Sequence, residues 1–298
     1  MPQRTKNQHY VAQLYLRQFA FERRKKVARI HVFDKTRQHA FATNIRNVAA
    51  ELNFYEESDT GIEKAFQRVE DLFVPAYRQL LEKETEDALT VEQRAAVAAF
   101  VALQQVRTNE NRHMTESLIS LIRDHMANQG MPLDLLAQVE MLRPELIRES
   151  HVNQIRHTVP TIAEIIVQMK WVLLLNETST AYWTSDHPVS MYNEPPTGLE
   201  GNRGWKCRGI QAFFPLSPTR ALCICDPETY RELPSVLRTS DVKTVIFQNH
   251  LQIQSSTRYL YASHGDFRFA TQVLADQPFY ANPRRQRTSI ADGHVSVK

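Results

Sequence analysis

The stretch Thr90–Arg107, TVEQRAAVAAFVALQQVR, decides the arrangement that the rest of the chain follows. Thr90 and Gln93 have the spacing of a capping box, in which a hydroxyl and a side-chain amide satisfy backbone N–H groups at a helix start. Alanine, valine, phenylalanine and leucine then cover nearly the whole circumference, and a helix that is apolar all round is buried. The pattern predicts a central helix from Thr90 to at least Leu121.

Other segments have helical periodicity, with apolar residues at three- and four-residue steps. Capping patterns at Thr60–Glu63 and Thr161–Glu164 predict that helices begin there. The expected helices cover residues 9–20, 60–80, 133–157, 161–170 and 240–261.

Short β-branched and aromatic runs on both sides of this helical region predict strands. The chain is therefore expected to be α+β, with a predominantly helical centre and an antiparallel sheet built from N-terminal and C-terminal strands. The predicted strands are 27–34 and 39–43 near the start, and 171–175, 181–184, 209–214 and 220–225 later.

Length and composition limit the class of protein. The chain has 298 residues, 42% hydrophobic and 23% charged, which is ordinary for a globular domain. We expect a single domain over 1–282 and a disordered basic tail over 283–298. No apolar run is long enough for a membrane span, and three cysteines predict reduced thiols and a cytoplasmic location.

Several polar residues stand where apolar ones are expected, and they are the candidate site residues. Arg107 follows Gln104 on the apolar stripe of the central helix, and Asn249 lies on that of the late helix. Ser185 and Asp186 end a predicted strand, and His9 leads the first helix. Because a buried guanidinium needs an acidic partner or an anion, Arg107 indicates either an ion pair with Glu63 or Glu70, or a ligand.

The other candidates also have structural alternatives. Asp186 is equally compatible with capping a turn before Pro188, and Asn249 with bonding a buried backbone group. His9 is equally compatible with a capping or core role. Motifs for phosphate-cradling loops, nucleophile elbows and helical zinc sites are absent from the sequence.

The chain resembles one family of bacterial and viral proteins, domain of unknown function 4238. The resemblance rests on His9-Tyr10-Val11 through Phe19, Ile30–Lys35, Asn44–Glu51, Phe54-Tyr55, Gln104 to Thr108, Ser185-Asp186 to Val189, Phe214–Pro218 and Asn249. The chain departs from the family pattern at Ala12, usually proline, and at His187, often asparagine. The resemblance implies shared pocket residues and supplies no reaction.

The residues support three hypotheses. The first is a hydrolase that acts on a phosphodiester or nucleic-acid substrate, with Arg107 clamping the anion, His9 as general acid or base, and Asp186 orienting His9. As an alternative to orienting His9, Asp186 would hold a divalent metal ion, with Glu63 as the second ligand. The basic residues within 1–40 would attract nucleic acid.

The second hypothesis is a non-catalytic module that binds a small anionic or nucleotide ligand, with Gln104, Ser185 and Asn249 as further ligand contacts. The third is a protein-interaction scaffold, in which the same polar residues only fix the packing. The hypotheses differ in whether His9, Arg107, Asp186 and Asn249 line one cleft.

Overall fold

A computed structural model shows how these segments are arranged. It describes residues 7–24, 27–55, 61–85, 89–132, 144–194, 203–285, 288–291 and 294–297. The α+β prediction is confirmed, because helices fill the middle of the chain and N-terminal strands pair with C-terminal ones. The helices are α1 (Gln13–Leu16), α2 (Gly61–Glu82), α3 (Val91–Val106), α4 (Asn109–Asn128), α5 (Pro144–Gln168), α6 (Val242–Ser255) and α7 (Arg268–Asp276).

Helix α3 is the predicted central helix, and it starts as expected. The Thr90 hydroxyl accepts from the Gln93 backbone N–H, and the Gln93 side chain accepts from the Thr90 N–H, so the capping box is complete. Most of its residues from Val97 to Val106 are buried, and the Phe100 ring stacks on Phe73 of α2 with centroids 3.7 Å apart. Tyr15 and Phe214 pack on the same aromatic cluster.

The prediction of one continuous helix to Leu121 was wrong. Helix α3 ends at Val106, and Thr108, in an extended conformation, precedes α4. The interruption coincides with contacts to distant parts of the chain. The Arg107 carbonyl accepts from the Tyr55 hydroxyl at 3.0 Å, and the Arg107 side chain turns towards α2.

Helix α5 was also predicted with the wrong boundary. It runs through Pro160 and Thr161 without a new start, so Thr161–Glu164 is no capping box. The Thr161 hydroxyl instead donates to the His157 carbonyl one turn earlier, which is a common use of threonine inside helices. Residues 133–143 of the predicted helix 133–157, and Thr60 of the other predicted capping box, lie outside the described residues.

The first of two five-stranded sheets joins the two ends of the chain. Its order is β2-β3-β12-β7, with β4 on β3, and its described pairings are antiparallel. It contains β2 (Glu22–Arg23), β3 (Ala28–Asp34), β4 (His39–Asn44), β7 (Thr184–Ser185) and β12 (Tyr259–Ala262). The predicted late helix 240–261 therefore ends early, because α6 stops at Ser255 and β12 follows.

The second sheet comes from the C-terminal half alone. Its order is β11-β6-β10-β9-β8, with a parallel pair between β11 and β6. Its strands are β6 (Lys170–Asn176), β8 (Ser190–Tyr192), β9 (Gln211–Ser217), β10 (Arg220–Cys225) and β11 (Val236–Thr239). The predicted strand 181–184 is reduced to the start of β7.

Two short strand pairs complete the described chain. β1 (Asn7–His9) pairs with β5 (Ala50–Leu52), so His9 lies on a strand and the predicted helix 9–20 is reduced to α1 and a 3₁₀ turn, Arg17–Phe19. β13 (Thr288–Ala291) pairs with β14 (His294–Val297) in the segment for which the sequence predicts disorder. None of the helices in the described ranges has the length and apolar character needed to cross a membrane.

Candidate functional site

A cavity of about 300 Å³ lies where β1, α1, α2 and the α3–α4 junction meet. Helix α2 contributes one face, because positions three, four and seven residues apart lie on the same side of a helix. Strand β1 and the start of α1 contribute further lining residues. The lining residues are mostly polar: Asn7, His9, Ala12, Gln13, Tyr55, Glu63, Phe66, Gln67, Glu70 and Arg107.

Arg107 lines this cavity with its guanidinium already engaged. Its side chain is only 1% exposed, and Nη1 donates to Glu70 Oε1 at 3.0 Å. With its amide oxygen turned towards Arg107, Gln104 accepts from Nε at 2.9 Å and from Nη2 at 2.5 Å. The guanidinium carbon lies 5.3 Å from the centre of the Phe66 ring. The buried positive charge is thus balanced within the protein, as burial requires.

His9 belongs to the same cavity and is half-buried. Burial, followed by the positive charge of Arg107, lowers the pKa of His9 below its ordinary value of 6.5, although the Val48 and Ala49 carbonyls oppose this. The side chain is therefore neutral at pH 7. Its Nδ1 atom is buried and makes no hydrogen bond among the described residues. A neutral imidazole donates one hydrogen bond through its ring N–H and accepts another at its second ring nitrogen.

Tyr55 fixes the back wall. Its backbone N–H donates to Gln8 Oε1 at 2.7 Å, and its hydroxyl donates to the Arg107 carbonyl. Burial raises the pKa of Tyr55 far above its ordinary range, so the hydroxyl stays protonated and remains a donor. Tyr55 also packs edge-on against Phe66 and stacks with His151. The wall that carries Arg107 is therefore held from several sides.

Asp186 is placed elsewhere, with both carboxylate oxygens occupied. Oδ1 accepts from the Thr257 N–H, and Oδ2 accepts from the N–H groups of Arg258 and Tyr259, each at 2.8 Å. Burial raises the pKa of Asp186, and the backbone donors and Lys35 oppose that rise. Asp186 fixes the loop between α6 and β12 and does not line the cavity.

The other predicted ligand contacts also have structural partners. The Ser185 hydroxyl is within 2.8 Å of the His187 carbonyl and 2.7 Å of Gln252 Oε1. Asn249 accepts from the Trp183 N–H at 2.8 Å and donates to the Ala181 carbonyl at 3.0 Å. Neither residue lines the cavity, whereas Gln104 reaches it through Arg107. The structure thus brings His9, Glu63 and Arg107 together and separates them from Ser185, Asp186 and Asn249.

The described residues do not form the divalent metal site that the sequence predicts from Asp186 and Glu63. Glu63 lines the cavity, but Asp186 does not, and its oxygens are taken by backbone N–H groups. Within the described part of the chain, no group of three or more histidine, cysteine, aspartate or glutamate side chains could hold a metal ion. Hard divalent cations need several oxygen ligands, and Asp186 and Glu63 do not supply them together.

Sequence reasoning missed the amide-bearing residues of the site. Asn7, Gln13 and Gln67 line the cavity, and none was a candidate. For Gln67 a signal exists: Glu63, Gln67 and Glu70 follow a polar stripe beside the apolar stripe of α2. For Asn7 and Gln13 no such pattern is present, because both belong to very short elements.

Comparison with known proteins places the chain in a family. It belongs to the family described as protein of unknown function (DUF4238), whose sequence profile matches residues 7–266. The match includes all the cavity residues. No curated protein and no solved structure matches the chain.

Proposed function

We propose that the protein binds a small polar ligand without net negative charge in the cavity between β1 and α2. One observation carries the proposal: Arg107, the one cation among the described lining residues, is ion-paired with Glu70 at 3.0 Å. An anionic ligand would have to displace Glu70 while approaching Glu63, so the cavity does not favour phosphate. Binding of the anionic or nucleotide ligand that the sequence predicts is the competing outcome.

The lining groups support a ligand that is recognised by hydrogen bonds. Glutamates accept, and the amides of Asn7, Gln13 and Gln67 both donate and accept. Neutral His9 adds one more donor or acceptor, while Phe66 and Tyr55 supply an apolar wall. Ligand sites commonly combine such walls with a few polar groups, and this volume is at the lower end of their range. Hydroxyl-bearing metabolites, such as monosaccharides, have the matching chemistry.

Calorimetric titration tests the proposal. Monosaccharides and other uncharged hydroxyl-bearing metabolites are the probes, with inorganic phosphate and adenosine monophosphate as anionic comparators. Saturable binding of an uncharged probe is expected, and Glu63→Gln should weaken it about tenfold through the loss of a charge-assisted hydrogen bond. Glu82→Gln, an exposed change at the end of the same helix, is the matched control.

A second variant separates the competing outcomes. Glu70→Gln removes the charge that neutralises Arg107, so it should create phosphate binding that the unaltered protein lacks. The proposal fails if phosphate or adenosine monophosphate binds the unaltered protein and no uncharged probe does.

A hydrolase is the second candidate, and the state of His9 favours it. A neutral imidazole in the cavity that Glu63 also lines can act as a general base towards water. In this version Asp186 has no role at the reacting group, and no metal is required. Product analysis by mass spectrometry after incubation with a bound ligand would distinguish turnover from binding, and His9→Gln should abolish turnover. Nucleic acid as the substrate stays a prediction.

A further inference from the structure

Strand β4 (His39–Asn44) forms an open edge of the first sheet. It pairs with β3 along its whole length in one continuous antiparallel register, and no other described strand pairs with it. Its first three residues are exposed, and Phe41 is 38% exposed. An open edge of this kind presents unpaired backbone donors and acceptors to any extended chain that approaches it.

The backbone groups that face outwards belong to alternate residues of β4. The Lys35 N–H donates to the Arg258 carbonyl at 2.9 Å, so the odd-numbered residues of β3 bond towards β12. Backbone direction alternates along a strand, so the even-numbered residues of β3 bond towards β4. Those residues lie opposite the odd-numbered residues of β4. The N–H and carbonyl groups of Ala40 and Ala42 therefore point away from β3, towards the open edge.

This edge lacks the features by which edge strands are normally blocked. Natural edge strands carry lysine, proline, a bulge or an inward-pointing charge, and each of these discourages the addition of another strand. The sequence HAFATN contains no lysine, proline or acidic residue, and its register with β3 has no shift. The rings of His39 and Phe41 stack with centroids 6.3 Å apart, so a strand added here would meet an aromatic surface.

The charges beside the edge determine which strand fits it. Residues 36–47 contain two arginines, Arg37 and Arg46, one on each side of β4, and no acidic residue. Both are exposed, and Arg46 has no ion pair among the described residues. Arg37 has only a contact of 4.0 Å with Asp34, which Arg258 already binds at 2.6 Å. A second copy of this edge would bring like charges together, whereas acidic residues at the ends of an added strand would be attracted.

We propose that β4 is a docking edge for an extended segment of another protein, with an uncharged, β-branched centre and acidic residues at both ends. The segment adds to the sheet as a new strand, and its backbone bonds to Ala40 and Ala42. Its side chains on one face pack on Phe41, and its carboxylates lie near Arg37 and Arg46. None of this depends on a ligand in the cavity between β1 and α2, so the docking edge and the proposed function fail or succeed separately.

Fluorescence anisotropy with the full-length protein tests the docking edge. The probe is a labelled peptide of alternating threonine and valine with glutamates at both ends, and the same peptide with lysines at both ends is the comparator. The acidic peptide should bind saturably and at least about tenfold more tightly than the basic one, and added salt should weaken its binding.

A variant of the strand tests the backbone bonds. Ala42→Pro removes an outward N–H and leaves the bonds to β3 intact, so it should weaken binding of the acidic peptide at least about tenfold. Ala42→Val keeps the N–H and is the matched control, with binding expected within about twofold of the unaltered protein. If Ala42→Pro loses its circular-dichroism spectrum, the acidic peptide N-methylated at alternate residues blocks the same bonds from the other side and should show the same loss.

A charge reversal tests the choice of partner. Arg37→Glu combined with Arg46→Glu should reverse the preference between the acidic and the basic peptide, because both ends of the edge then carry the opposite charge. Arg231→Glu, a change at another exposed arginine, is the control and should leave the preference unchanged.

Four results would overturn the proposal. The first is no binding of the acidic peptide at about 1 mM, and the second is equal binding of the acidic and basic peptides. The third is binding that neither Ala42→Pro nor N-methylation of the peptide weakens. The fourth is a dimer in sedimentation velocity that Ala42→Pro abolishes, which would show that a second copy of the chain covers this edge.

Discussion

Acidification should destabilise the wall behind the cavity through His151. This residue is fully buried in α5, its Nε2 donates to the Val106 carbonyl at 2.9 Å, and its ring stacks on Tyr55. Burial lowers the pKa of His151 to about 4, with a smaller contribution from Arg112, against an ordinary value of 6.5. The folded protein therefore disfavours the protonated imidazole, while the unfolded chain accepts the proton at its usual pH.

The sign and size of the effect follow from this difference. Above pH 6.5 both states are neutral and the full stability is present. Between pH 6.5 and 4 the unfolded state binds more protons, so the free energy of unfolding falls as the pH falls. A difference of about 2.5 pKa units corresponds to about 3 kcal/mol lost across this window.

Urea denaturation at a series of pH values between 4 and 7.5 measures this loss. His151→Gln removes the titrating group, so the difference in unfolding free energy between unaltered protein and variant should narrow by about 3 kcal/mol on acidification. His157→Gln, an exposed change on the same helix, should leave the pH dependence unaltered. If the free energies of unfolding of the unaltered protein and of His151→Gln change in parallel with pH, the reasoning is refuted.

Three further changes test the fold by chemical denaturation. Asp186→Ala leaves three backbone N–H groups without their acceptor, so the free energy of unfolding should fall by about 3–5 kcal/mol. Binding of a ligand in the cavity should persist, and loss of binding with unchanged stability would contradict this. Phe100→Ala creates a cavity in the aromatic core beside Phe73 and should lower the free energy of unfolding by about 3–5 kcal/mol. A decrease below about 1 kcal/mol would contradict the stacking of these two rings. Thr90→Ala removes the N-cap of α3 and should lower the free energy of unfolding by about 1 kcal/mol. An unchanged free energy of unfolding would contradict the capping box.

Local features were predictable because their causes are local. The start of α3 follows from Thr90 and Gln93, and the buried character of its middle follows from its composition. Where α3 ends was not predictable, because the cause is a contact of Arg107 with Tyr55 and Glu70, which are distant in sequence. The pairing of β3 with β12 was not predictable either, since the sequence of one strand does not specify its partner.

The candidate site shows a similar division. Sequence identified Arg107 and Asp186 as polar residues in apolar surroundings, and both are buried. It could not show which would be satisfied by backbone N–H groups and which would face a cavity, because this depends on tertiary contacts. Of the two alternatives for Arg107, the ion pair with Glu70 is confirmed. The pair does not remove Arg107 from the site, because it lines the cavity while being paired.

The most direct test of the proposed function is to follow the His9 imidazole resonance by NMR, assigned with His9→Gln, while probes are titrated into the protein. Binding of an uncharged, hydroxyl-bearing probe should shift this resonance to saturation, and phosphate should shift it only in Glu70→Gln. A saturable shift of His9 by phosphate in the unaltered protein, with none by uncharged probes, would contradict the claim that Glu70 neutralises Arg107 and makes the cavity selective.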